Sequence, residues 1–277
     1  MIRVVLQQLA PVVGELAHNR ALALKAIRAA VADGADVVVL PELVTSGYVF
    51  ASHEEAAGVA VPAGHELLQE WSAAVRESGA VVVGGFCERG EDGRLHNSAA
   101  VVDGTGVRAV YRKTHLWDRE KLVFAPGDDA PPVVETAHGR IGVLVCYDLE
   151  FPELTRGLAL AGADLIAVPT NWPLVPRPAG EHPPEVIIGM AAARTNRVFV
   201  ACCDRAGVER GQEWTSGTAI IDQEGWVVAE RTDEGALAAD LDLALARDKR
   251  MTENAHLHDD RRPELYGAVS AARRVTP

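Results

Sequence analysis

Three reactive side chains stand at the ends of predicted strands: Glu42, Lys113 and Cys146. Cys146 closes the apolar run Ile141 to Val145, and polarity returns at once with Tyr147, Asp148 and Glu150. The run is short and β-branched, which reads as a buried strand. Phe151-Pro152-Glu153 then opens a helix, since proline is tolerated in a first turn and acidic groups suit the positive end of the helix dipole. A thiol at such a bend can face a cleft while its backbone stays rigid, and neighbouring N–H groups can hold an anion. Free cysteine is also a common packing residue, so this stretch alone fits an inert thiol equally well. A carboxylate can take a thiol's proton, and an ammonium beside it favours the thiolate and can bind an oxyanion. Taken singly, Glu42 reads as a solvated loop carboxylate and Lys113 as a surface lysine, because both types are mostly exposed. Taken together, the three suit attack on an acyl carbon.

The elements that must place these groups repeat within the chain. Gly34-Ala35-Asp36-Val37-Val38-Val39-Leu40-Pro41 matches Gly162-Ala163-Asp164-Leu165-Ile166-Ala167-Val168-Pro169. The first half predicts a strand over 2–6, a helix over 19–32 stopped at Asp33-Gly34, a strand over 37–40 and a helix over 65–77. A strand over 80–86, a polar turn over 88–94 and a hairpin of 98–103 with 107–112 follow. Residues 116–132 read as a loop across the cleft. The pattern then restarts: strand 141–145, helix 153–161, strand 165–168, helix 185–195, strand 198–203, and a hairpin of 218–222 with 227–231. Val81-Val82-Val83 is matched with Val198-Phe199-Val200. Two such halves stack sheet on sheet with helices outside. The expectation is an α/β fold, a four-layer α-β-β-α sandwich with an internal pseudo-two-fold repeat, forming one domain over 1–277. A single doubly wound sheet accommodates the hairpins less well. In the sandwich, equivalent strand ends meet in the centre, and Glu42, Lys113 and Cys146 meet with them.

A net charge of −12 argues against nucleic acid or an anionic membrane as partner. The N-terminus lacks a basic segment leading into an apolar one, and no apolar run is long enough to span a bilayer. Cys87, Cys146, Cys202 and Cys203 lack CxxC or zinc-like spacing, which points to a reducing, cytoplasmic setting. His256-Leu257-His258-Asp259-Asp260 could be drawn as a metal site but reads first as a solvated turn. Neither metal nor cofactor is expected.

Three stretches carry a resemblance. Leu40-Pro41-Glu42-Leu43, Tyr111-Arg112-Lys113-Thr114-His115-Leu116, and Gly142 to Glu153 with Cys146-Tyr147-Asp148 resemble, in order, the glutamate, lysine and cysteine motifs of the nitrilase superfamily of carbon–nitrogen hydrolases. The resemblance spans essentially the whole chain. It implies the stacked sandwich and a catalytic triad of Glu42, Lys113 and Cys146. It also implies that Glu120, before Phe124-Ala125-Pro126-Gly127, is the family's second glutamate, holding the lysine or positioning substrate. Lys113 and the backbone N–H of Tyr147 would then hold the tetrahedral oxyanion on the way to a thioester.

True nitrilases of that family tend to carry Trp-Glu after the cysteine, whereas Tyr147-Asp148 resembles the amidases, and the continuation to Glu153 resembles aliphatic monoamide hydrolases. Carbamoylases that bind a carboxylate often have an arginine there. Here Glu150 stands in its place, and Asp148 and Glu150 would not favour an anion. The expected substrate is a small aliphatic primary amide, an amine-bearing tail included. An N-carbamoyl amine or amino acid is the alternative, and a nitrile ranks lower. Tyr48, Trp117, Tyr147, Asn171 and Trp172 are candidates to line the pocket, each with packing as its competing role. His115 beside Lys113 invites a Cys–His thiol hydrolase, but no Asn or Asp partner is evident and the glutamate motif goes unexplained. A non-catalytic binding protein finds no support, since all three reactive positions are competent. The closing segment, about 247–277, resembles one that commonly crosses to a second subunit, which implies a homodimer or larger homo-oligomer.

Overall fold

The computed structural model describes residues 1–271. The first half runs β1 (Ile2–Gln8), α1 (Leu16–Ala32), β2 (Val37–Val39), α2 (His53–Val59), α3 (Glu66–Val75), β3 (Val81–Arg89), β4 (Leu95–Asp103) and β5 (Gly106–Arg112). The second runs β6 (Val133–Thr136), β7 (Gly139–Val143), α4 (Pro152–Leu160), β8 (Leu165–Pro169), α5 (Pro184–Asn196) and β9 (Phe199–Cys203). A small hairpin of β10 (Val208–Glu209) and β11 (Gln212–Glu213) precedes β12 (Thr218–Ile221) and β13 (Val227–Arg231). The chain closes with β14 (Gly235–Leu241), the hairpin β15 (Arg250–Thr252) and β16 (Ala255–His256), and α6 (Pro263–Ala271).

One sheet is ordered β14-β1-β2-β3-β4-β5 and the other β13-β12-β9-β8-β7-β6. In each, the central strands are parallel, with an antiparallel hairpin on one flank and one antiparallel strand on the other. Counted from β14 and from β6, the two orders coincide, so the repeated octapeptide marks a repeat of topology. Val37 pairs with Val81 and Leu165 with Phe199. Val81 therefore corresponds to Phe199, one residue beyond the expected match, because Val198 still closes the turn after α5 by donating to the carbonyl of Ala193 at 3.3 Å.

The strands alternate as a two-sided sheet demands. Val4, Leu6, Val37, Val39, Val81 and Val83 join Ile141, Val143 and Leu165 of the opposite sheet in one core. Val5, Val38 and Val82 turn outward onto Ile27 of α1 and Leu67 and Trp71 of α3. On the far side, Gly142 of β7 faces Leu158 of α4, and Gly189 of α5 faces Ile221 and Cys202. The molecule is thus the four-layer α-β-β-α sandwich expected from the repeat.

Several elements differ from expectation. β14 completes the first sheet, pairing with β1 from Ile2–Leu241 to Gln8–Gly235, although its alanine-rich sequence carries no strand pattern. β6 and α2 were likewise not expected. β3 continues to Arg89, into the stretch expected to turn. β7 ends at Val143 rather than Val145: Leu144 still donates to the Ala167 carbonyl of β8 at 3.1 Å, but the Val145 N–H turns to Asp148 at 3.3 Å to set up the turn at Cys146. Among the described residues no helix is long and apolar enough to cross a membrane. Of the closing segment, residues 272–277 lie outside the described residues.

Candidate active site

Glu42 follows β2 where the chain turns sharply, with Leu43 at φ 48°. Gly85 of β3 makes that turn possible. A Cβ at Gly85 would stand 2.3 Å from the Leu43 nitrogen and 2.6 Å from the Glu42 Cα, so only glycine lets the two backbones approach. Lys113 follows β5, its N–H donating to the Asn97 carbonyl at 2.9 Å and its carbonyl accepting from Gly127 at 2.9 Å. Cys146 opens the 3-10 turn Cys146–Glu150 and holds φ 48°, a left-handed conformation that an L side chain adopts only where its surroundings enforce it.

The enforcing group is Asp148. It is fully buried and accepts from the Tyr111 hydroxyl at 2.9 Å, the Thr114 hydroxyl at 3.1 Å, the His115 N–H at 3.0 Å and the Val145 N–H at 3.3 Å. The His115 ring packs face to face on Phe151 with centroids 3.5 Å apart, and its Nδ1 lies 2.9 Å from Asp148 Oδ1. This corrects two sequence expectations. His115 does have an aspartate partner, but that partner braces the turn. Asp148 is consumed by these bonds and Glu150 is exposed, so neither bears on a substrate anion.

Lys113 is fully buried. Its Nζ donates to Glu42 Oε1 at 2.7 Å and to Glu120 Oε1 at 2.8 Å. Asn97 Nδ2 donates to the same Glu42 oxygen at 2.7 Å, and Asn171 Nδ2 to the Glu42 carbonyl at 2.9 Å. Glu120 also accepts from the Tyr48 hydroxyl at 2.5 Å and the Trp117 N–H at 3.2 Å. Burial pushes the Glu42 carboxyl up to about 7, against the pull of Lys113. Burial works to lower Lys113, but Glu120, Glu42 and Cys146 hold it above the ordinary lysine value, so it stays an ammonium. Burial, then Glu42, raise the Cys146 thiol well above its ordinary value, while Lys113 and the backbone amide of Asn171 pull the other way. The resting sulfur is a protonated thiol within electrostatic reach of a base and a cation.

Residues 3–251 match the family model described as carbon-nitrogen hydrolase. The chain belongs to the carbon–nitrogen hydrolases. It is 37% identical over 272 residues to a nitrilase of Pyrococcus abyssi, covering 96% of this chain and 99% of that one. It is 32% identical to the N-carbamoylputrescine amidase of Arabidopsis thaliana, covering 91% of this chain and 90% of that protein. A solved structure of a mutant amidase from Nesterenkonia sp. AN1, with the acetamide moiety of fluoroacetamide covalently added at its active site cysteine, superposes with a TM-score of 0.78. That match has 27% identity and covers 96% of this chain and 95% of that chain. The protein is therefore a hydrolase acting on C–N bonds.

In this hydrolase a cavity of about 130 Å³ lies over Glu120, walled by Tyr48, Phe50, Trp117, Phe124 and Trp214, with Asp118 also on its lining. Of the expected pocket residues, Tyr48 and Trp117 line it. Tyr147 does not, but its ring meets Trp117 edge to face at 4.8 Å. Asn171 is buried against Glu42, and Trp172 is packed beside Gly217 with its N–H on Asp204. Sequence reasoning did not single out Asn97, Trp214 or the pair behind them. Glu209 accepts from the N–H groups of Tyr48 and Val49 at 2.9 and 2.6 Å, Arg205 lies 3.0 Å from Glu209, and the Arg205 guanidinium stacks 4.6 Å over Trp214. The available signal was Arg210-Gly211, whose left-handed pair makes the tight β10–β11 turn that presents Trp214. Among the described residues no three His, Cys, Asp or Glu side chains are placed to hold a metal ion. His256 instead closes a local turn, its N–H donating to Asp260 at 2.8 Å.

Proposed function

We propose that this carbon–nitrogen hydrolase is an amidase that converts a small aliphatic primary amide to a carboxylic acid and ammonia. The observation that carries this reading is Lys113 Nζ, buried between the carboxylates of Glu42 and Glu120 and within electrostatic reach of Cys146. Glu42 takes the thiol proton as Cys146 attacks the amide carbon. Lys113 and the backbone N–H of Tyr147 hold the resulting oxyanion. Glu42 returns the proton to nitrogen, the C–N bond breaks, and ammonia leaves a thioester on Cys146. Water, deprotonated by Glu42, adds to the thioester, and the proton returns to sulfur as the acid departs. Glu120 keeps Lys113 charged and aimed. The covalent acetamide on the cysteine of the similar amidase supports a carbon–sulfur bond at this position.

The small aromatic cavity supports a short apolar acyl group. One feature favours a second reading. Asp118 on the lining, together with aromatic walls, suits an ammonium tail, as on an N-carbamoyl amine. Ammonia release across a panel of aliphatic amides, N-carbamoyl amines and nitriles tests both. Turnover of the small amides at the highest kcat/KM supports the first reading. Preference for the N-carbamoyl amines favours the second, and preference for nitriles overturns both.

A further inference from the structure

Asn97 sits on β4, fully buried, and touches two reactive positions at once. Its carbonyl accepts the backbone N–H of Lys113 at 2.9 Å, and its Nδ2 donates to Glu42 Oε1 at 2.7 Å. Facing a carboxylate, the amide must present its NH₂ group, since its own oxygen would repel. Lys113 Nζ donates to that same Oε1 at 2.7 Å. A carboxylate oxygen accepts two strong hydrogen bonds, so Oε1 is saturated. Glu42 Oε2 is buried and, among the described residues, has no hydrogen-bond partner.

We infer that Asn97 is a positioning residue that reserves one oxygen of Glu42 for proton transfer: with Lys113 it caps Oε1 and leaves Oε2 as the working base. The inference rests on the reading of Glu42 as general base and names the atom that does the work. The thiol proton passes to Oε2 as the sulfur–carbon bond forms. It passes from Oε2 to nitrogen as the carbon–nitrogen bond breaks. Oε2 then takes a proton from water and returns it to sulfur when the thioester opens. Without Asn97 the carboxylate can rotate, and its charged form loses one donor. Asn97 is neutral, so its replacement leaves unchanged the charged and titratable groups that face Glu42, namely Lys113, Glu120, Cys146, Tyr48 and Arg205.

The test is Asn97→Leu, with Asn97→Ser as the smaller probe where the leucine variant does not fold, and Glu42→Gln alongside. Each is checked by melting temperature, then assayed for kcat, KM and the pH dependence of both kcat/KM and Cys146 alkylation by iodoacetamide. The expected result is a fall in kcat of about 10–100-fold with KM within about threefold. The acid limbs of both pH profiles move up by roughly one unit, because the ionised carboxylate has lost a donor. A folded Asn97 variant with unmoved limbs, or with kcat near wild type, overturns the inference while leaving the base reading intact. A fully active Glu42→Gln overturns the base reading itself.

Discussion

The hydroxyl of Tyr111 donates to Asp148 Oδ2 at 2.9 Å, and this bond ties the strand that carries Lys113 to the turn that carries Cys146. Asp148 gathers three further donors, two of them backbone N–H groups, so one buried carboxylate fixes the separation of ammonium and thiol. Asp148→Ala leaves those donors unpaired at a cost of roughly 1–3 kcal/mol for each one that water cannot reach. The expected outcome is a clear fall in the urea midpoint together with loss of turnover. Asp148→Asn keeps an acceptor and should lose less of both. An alanine variant as stable and active as wild type would contradict the bracing role.

Cys146→Ala should abolish ammonia release, since no other cysteine can substitute. Burial raises all four thiols, so what separates them is access and setting: Cys87, Cys202 and Cys203 have no exposed surface, whereas Cys146 keeps 5% and lies beside Glu42 and Lys113. Iodoacetamide on the native protein should therefore modify Cys146 alone, as read by peptide mass spectrometry. Modification spread over all four cysteines, or wild-type turnover in the alanine variant, would refute the nucleophile assignment.

The pH profile follows from Glu42. Burial raises its carboxyl to about 7, so below that pH the base is protonated and cannot take the thiol proton. Lys113 is held above its ordinary value by Glu120 and Glu42 against burial, so it stays charged through neutral pH and contributes no change there. The acid limb of kcat/KM should lie near pH 7, falling about tenfold per unit below it. An acid limb near pH 4.5, the ordinary carboxylate range, would mean that the Glu42 environment is more hydrated than the structure shows.

Much of this site is legible in the sequence because it sits at strand ends within a repeated pattern. The duplicated Gly-Ala-Asp segment locates β2 and β8; Glu42 and Cys146 each follow an apolar run, and Lys113 follows the second strand of a hairpin. What the sequence hides is created by distant pairing. β14 becomes a strand by docking on β1 from more than two hundred positions away. Asn97 lies in an ordinary Asn-Ser-Ala stretch and gains its place only when β4 sets it beside Glu42. Asp148 looks like an accessible acid next to the thiol until Tyr111, Thr114 and His115 close around it. The sharp turns at Leu43 and Cys146 depend on contacts from other strands, which local propensity does not encode.

Glu120 accepts from Lys113 Nζ alongside Glu42 and is itself held by the Tyr48 hydroxyl. A hydrogen bond to a charged group is worth about 1.5–3 kcal/mol, so Glu120→Ala should lower kcat by roughly 10–100-fold with a smaller change in KM. Tyr48→Phe removes one donor to Glu120 and leaves the lysine contact, so its loss should be the smaller of the two. Equal losses would place Tyr48 in direct contact with substrate rather than behind Glu120.

Trp117 lines the cavity and is 40% exposed, which makes it a clean probe of the acyl pocket. Its ring packs edge to face on Tyr147, a contact worth about 0.5–1.5 kcal/mol beyond area burial. Because the side chain is half out of the fold, Trp117→Ala should shift the melting temperature little. If the substrate's acyl group sits against this wall, KM for the preferred small amide rises by roughly 2–10-fold, and longer-chain amides gain relative to it as the cavity opens. Trp214, another wall of the cavity, is held in place by the Arg205–Glu209 pair, so the enlargement should stay local. A chain-length preference unchanged by Trp117→Ala would show that the acyl group lies elsewhere, and the aromatic cavity would lose its claim to set specificity.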